Sequence, residues 1–123
     1  MASQKTVLLK LTGEILKGTE GQLTEKKLCS IAQQIKALSH EYYFGIVIGG
    51  GNFFRGSLQG AALGISSPIG HQIGMLATMM NGLIIQDIFN RYNLATTLFC
   101  AIPTPGIGEA ISDQALKQAH RNH

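Results

Sequence analysis

The sequence predicts an α/β fold, a three-layer sandwich with a mostly parallel sheet. Three short aliphatic runs, at residues 6–11, 43–48 and 94–101, alternate with segments of helical periodicity. The second run ends in Gly49-Gly50-Gly51 and leads into a helix-compatible stretch, the strand–glycine loop–helix order from which α/β proteins build anion sites. The bulk composition agrees. Of 123 residues, 45% are hydrophobic and only 14% charged, enough to bury the core of a single domain spanning 1–123.

The first strand, 6–11, runs through Val7, Leu8 and Leu9 to Lys10, and Thr12-Gly13-Glu14 turns the chain. A lysine at the carboxyl end of a strand is where α/β sheets keep ligand contacts. Taken alone, an edge lysine reaching for solvent is the better reading. Gly18-Thr19-Glu20-Gly21 is a loop by composition. Thr24 is placed to cap the next helix, whose Leu28, Ile31, Ala32, Ile35 and Leu38 keep helical spacing.

The second strand, 43–48, enters the glycine loop. Residues 58–69 are small and interrupted by Gly60, Gly64 and Pro68, which predicts a loop or a short helix with irregular ends. The longest helical candidate covers 71–92. It is apolar almost all round, and Gly74, Met75, Ala77, Met79, Met80 and Gly82 allow close packing, so it lies in the core or meets a partner subunit. A third strand follows at 94–101, then a turn through Pro103, Pro105 and Gly106, and a last helix at 109–120. No repeat or linker is visible. The chain stops just after that helix, where a βαβ pattern would return to the sheet.

The segment from Ile46 to Gly56 carries the chemistry. Glycines let the backbone approach a phosphate, and free N–H groups at a helix start point at it. Arg55 adds a fixed positive charge suited to phosphate oxygens. The bland alternative is a tight turn, for which one glycine would serve. The loop lacks the Gly-Lys-Ser/Thr ending of a P-loop, and Phe54 stands where a Rossmann fingerprint has its third glycine.

Other classes are disfavoured. The formal charge of +3 is small and the ten basic residues are scattered, which gives no nucleic-acid footprint. Cys29 and Cys100 fall in apolar segments with no framework or metal spacing, as suits a reducing cytoplasm. The apolar start is interrupted at Lys10, so no signal peptide is expected, and the most apolar stretch, 75–85, is too short to span a bilayer. Asp87 and Asp113, the only aspartates, fall on predicted helices as solvated or capping groups, and no metal site is expected.

Four stretches taken together resemble the bacterial uridylate (UMP) kinase family of the amino acid kinase superfamily: Lys10-Leu11-Thr12-Gly13-Glu14, Gly18-Thr19-Glu20-Gly21, Gly49 through Gly56, and Gly74-Met75-Leu76-Ala77-Thr78 followed by Asn81-Gly82-Leu83. Ala101-Ile102-Pro103 also fits. The Gly-Gly-Gly-Asn run is shared across the superfamily, whereas its combination with Gly-Met-Leu-Ala-Thr is specific. The resemblance covers this whole chain but only the front half of a family member.

The resemblance implies transfer of the terminal phosphoryl of ATP, carried with magnesium, to UMP in pyrimidine nucleotide synthesis. It implies catalytic roles for Lys10 and Arg55, and ATP contacts from Lys10, Leu11, Thr12, Gly13, Gly51 and Arg55. Gly50 and position 71 would meet UMP, and Gly18, Thr19, Glu20 and Gly21 would form a GTP-responsive loop. A homo-oligomer is implied, since family members are hexameric rings.

Three departures stand out. Thr12 replaces the family's serine and keeps the hydroxyl. His71 stands where the family has a ribose-binding aspartate, and the loop between Arg55 and Gly74 is slightly longer than usual. The rest of the family pattern, with the Thr- and Phe-rich UMP loop, the ATP base pocket and the acidic catalytic groups, is not in these 123 residues. The expectation is therefore an N-terminal, UMP-binding and oligomerising part of such a kinase, weak or inactive as it stands. The alternatives are a non-catalytic remnant that folds or oligomerises, or a superfamily member acting on a carboxylate or carbamate.

Overall fold

Alternation in the first run puts Val7, Leu9 and Leu11 on one face of a strand, with Thr6, Leu8 and Lys10 on the other. In the computed structural model this is β1 (Lys5–Leu11), and it pairs in parallel with β2 (Tyr42–Ile48), Lys10 opposite Val47 and Leu11 opposite Ile48. The structure describes residues 3–19, 23–54 and 56–123, without the side chains of 56–59. Arg55, Glu20 and Gly21 therefore lie outside the described residues.

Parallel pairing requires a crossover, supplied by α1 (Gly13–Leu16) and α2 (Glu25–Leu38). Thr12 caps α1, its hydroxyl accepting from Ile15 N at 3.3 Å. Thr24 holds the N-cap position of α2 as expected, but its hydroxyl donates to Leu16 O at 3.4 Å rather than capping the helix. After β2 come α3 (Gly56–Leu63) and the long α4 (Ser67–Arg91). Leu28, Ala32 and Ile35 of α2 pack with Ile85, Ile88 and Phe89 of α4 and with Leu16. Leu9, Leu11, Phe44, Ile46 and Ile48 of the sheet cover this core. Helix α5 (Asp113–Asn122) reaches the other face at one end, where the His120 ring lies 4.2 Å from that of Tyr43.

Expectation and structure part in three places. Helix α4 starts at Ser67, because Pro68 sits in its first turn, where a missing N–H costs nothing. The third strand shrinks to β3 (Phe99–Cys100), which pairs in parallel with β4 (Glu109–Ala110) and not with β1 or β2. Residues 94–98 have other partners: Leu94 N donates to Phe89 O at 3.0 Å, and Gln86 Nε2 to Thr96 O at 3.0 Å. The last helix begins at Asp113 and not at 109, since Ser112 caps it by accepting from Ala115 N at 3.1 Å.

The far face of the sheet is only partly covered. Leu8 is 72% exposed and Val47 51% exposed, although parallel sheets are ordinarily buried on both faces.

Candidate functional site

The parallel register brings the carboxyl ends of β1 and β2 side by side, so the 12–13 turn and the 49–54 loop leave the sheet at one edge. That edge is where open α/β sheets bind ligands. Gly49 N donates to Leu11 O at 2.9 Å and extends the pairing by one step. The loop then folds on itself, Phe53 N and Phe54 N both donating to Gly50 O at 3.1 and 3.3 Å. Among the described residues, no protein group accepts from the N–H of Gly50, Gly51 or Asn52. Three successive N–H donors at a strand end are thus available to anionic oxygens.

Two glycines are needed here for close approach rather than for an unusual backbone angle, since neither has positive φ. A Cβ on Gly50 would lie 2.8 Å from Ala77 Cβ and 2.9 Å from both Gly74 O and Thr78 N. A Cβ on Gly13 would collide with Asn52 Oδ1 and lie 3.0 Å from Gly49 O. The glycine loop is thus wedged between the β1–α1 turn and the middle of α4.

A buried pair of carboxamides locks the wedge. Asn81, fully buried on α4, donates through Nδ2 to Gly49 O at 2.8 Å and to Asn52 Oδ1 at 2.6 Å. Asn52 Nδ2 donates back to Asn81 Oδ1 at 3.2 Å. Neither asparagine is among the binding residues expected from sequence. The signal for Asn81 was a polar residue inside the most apolar stretch of the chain, since buried polar groups in native proteins have partners, and Asn52 closes the glycine run.

Of the expected site residues, the structure brings Lys10, Leu11, Thr12, Gly13, Gly50 and Gly51 to this one edge. Lys10 is exposed, with no hydrogen bond or ion pair to the described residues, and its position opposite Val47 is two residues before the loop. His71 is exposed one turn from Gly74 and bonds within its own helix, Nε2 lying 3.3 Å from Ser67 Oγ. Because α4 starts at Ser67, His71 sits in the second turn and not at the helix start. Gly18 and Thr19 lie in the connection between Lys17 and Leu23, which form an isolated antiparallel bridge away from this edge in sequence. No group of three or more His, Cys, Asp or Glu side chains able to hold a metal occurs among the described residues.

The profile of the amino acid kinase family matches residues 5–122. The chain belongs to the amino acid kinase family. Curated relatives of this amino acid kinase chain include the uridylate kinases of Escherichia coli strain K12 and Shigella flexneri. Each is 44% identical over 110 residues, which is 88% of this chain and 45% of the relative. Among solved structures, UMP kinase from Ureaplasma parvum aligns with a TM-score of 0.89 at 28% identity, over 98% of this chain and 53% of that one. UMP kinase from Bacillus anthracis aligns at 0.86 and 30% identity, over 97% and 50%. The chain thus spans about half the length of the relatives it matches, and the amino acid kinase-like α/β fold stands. No helix of the described residues is long and apolar enough to cross a membrane.

Proposed function

We propose that residues 1–123 are the N-terminal, phosphate-binding part of a nucleoside monophosphate kinase that moves the terminal phosphoryl of ATP to UMP. The observation that carries this reading is the Gly50–Asn52 row of N–H donors at the end of two parallel strands, close in register to Lys10. In the transfer, the bond from the terminal phosphorus to the ADP oxygen breaks as a bond to a UMP phosphate oxygen forms. Such a reaction needs positioning and charge neutralisation more than covalent help.

In this reading Lys10 neutralises charge on the transferring group, and the amides of Thr12 and Gly13 face the ATP phosphates with Leu11 behind them. Gly51 and Arg55 meet phosphate oxygens, and Gly50 and His71 lie on the UMP side. Magnesium would arrive on the ATP phosphates. The described carboxylates form no cluster to receive it, so no step is assigned to it. The 18–21 loop, whose Glu20 and Gly21 lie outside the described residues, is kept as a GTP-responsive element.

The exposed face around Leu8 and Val47 is where we put the remaining half of the fold. A sheet exposed on this face fits binding by this chain with little or no turnover, and the absence of a disulfide framework in the spacing of Cys29 and Cys100 suits a cytoplasmic setting. The exposed Leu76, Met80 and Leu83 on α4 support self-association.

The test is UDP formation from ATP and UMP, by this chain alone and by a version extended to the relatives' full length, with aspartate- and glutamate-like acceptors alongside. Turnover of UMP by the extended form alone is expected. Turnover of a carboxylate acceptor in preference to UMP would overturn the reading.

A further inference from the structure

We propose that Asn81 is a positioning residue that sets the shape of the anion loop from inside the molecule, with Asn52 as its counterpart on the loop. This inference rests on the phosphate-binding role proposed above. Asn81 is the one buried polar side chain among the described residues, at 0% exposure, on a helix whose neighbouring buried positions are Ala77, Met79 and Ile85. A carboxamide there is costly to bury unless its hydrogen bonds are made. Here both Nδ2 hydrogens and Oδ1 are engaged, and every partner belongs to the loop: Gly49 O, Asn52 Oδ1 and Asn52 Nδ2.

The bonds act at two points. Holding Gly49 O fixes the peptide plane that Gly49 shares with Gly50, and therefore the direction of the Gly50 N–H. Holding the Asn52 carboxamide anchors the loop three residues on and sets its Oδ1 against Gly13 on the opposite wall. The Gly50, Gly51 and Asn52 donors lie between these anchors, so their convergence on one anion depends on a helix residue that need not touch the ligand. Preorganised donors are effective because they are not reoriented when charge arrives. An apolar residue at position 81 would fill the space and leave Gly49 O and Asn52 to solvent or to each other.

Hydrogen exchange on the 123-residue chain tests this without any ligand. The reporters are the Gly49, Phe53 and Phe54 amides, which are bonded within or beside the loop, against the Ile85, Ile88 and Phe89 amides of α4. In Asn81→Asp, which keeps the size but loses both N–H donors, a protonated carboxyl restoring one at most, the loop amides should exchange at least about tenfold faster, with the α4 amides changed less than about twofold. Asn52→Ala, which leaves the helix intact, should do the same. A uniform rise over loop and helix in both variants, or no change in the loop, would overturn the proposal.

Calorimetric titration with UMP and with uridine forms the second arm. Both variants should lower the ratio of UMP to uridine affinity by about tenfold, because only the phosphate depends on the N–H row. An unchanged ratio, or an equal loss for both ligands, would count against positioning. If the unaltered chain binds no UMP, the proposed function is contradicted and the exchange comparison alone decides for or against Asn81.

Discussion

Replacing Gly50 by alanine probes the seam on which the site depends. The added methyl carbon would stand 2.8 Å from Ala77 Cβ and 2.9 Å from Gly74 O and Thr78 N. Comfortable carbon contacts lie at about 3.5–4.0 Å, so the intrusion is roughly 0.7–1.2 Å. Two of the three neighbours are helix backbone and cannot rotate aside, so either the loop or α4 must move. Overpacking of this kind costs about 1–3 kcal/mol, or about fivefold to over a hundredfold in the folding equilibrium. Urea unfolding followed by circular dichroism should show a lower midpoint with an unchanged slope. Gly74→Ala is the control: beyond its own helix backbone and chain neighbours, no atom of the described residues lies within 4 Å of its added carbon, and alanine within a helix should stabilise by about 0.5–1 kcal/mol. Gly50→Ala within about 0.5 kcal/mol of the unaltered chain would refute the close approach of loop and helix.

Lys10→Ala should leave stability within about 0.5 kcal/mol, since the side chain is exposed and has no partner among the described residues, yet cut UDP formation by the full-length form at least about a hundredfold. Near-normal turnover would remove Lys10 from the site. His71→Asp should tighten UMP binding by about tenfold, through a charge-assisted contact to ribose hydroxyls that imidazole makes poorly, and calorimetry at one pH compares the two. Its position in the second turn of α4 makes the helix dipole a minor contributor, so equal affinities would mean that position 71 does not hold the ribose. Light scattering at micromolar concentration should report a dimer or larger through the exposed Leu76, Met80 and Leu83. A monomer without apolar dye binding would contradict that.

The parts of the fold legible in the sequence are those governed by local pattern. Strands β1 and β2 begin within one residue of expectation, because alternating aliphatic residues fix both register and face. The glycine loop and Lys10 fall at one sheet edge, as strand–loop–helix order requires. Misreadings arose where a partner distant in sequence decided the outcome. Pro68 reads as a breaker, yet a serine before it and an open first turn make it a helix start. The aliphatic run at 94–101 has strand composition, but the end of α4 and Gln86 take backbone bonds of Leu94 and Thr96, and pairing with a strand begins only at Leu98 O, which accepts from Glu109 N. Asn81 was visible as a member of the Asn81-Gly82-Leu83 motif and as a polar interruption of an apolar helix, with no role attached to it. Its role depends on Gly49 and Asn52, some thirty residues earlier, being brought under it.

The central claim is that the Gly50–Asn52 amides receive a nucleotide phosphate, and an amide-resolved NMR titration of the 123-residue chain with UMP tests it most directly. The account predicts saturable shifts centred on Gly50, Gly51 and Asn52, with Gly13 moving alongside and uridine producing much smaller changes at those amides. Shifts confined to another surface, or equal responses to UMP and uridine at the glycine loop, would contradict it.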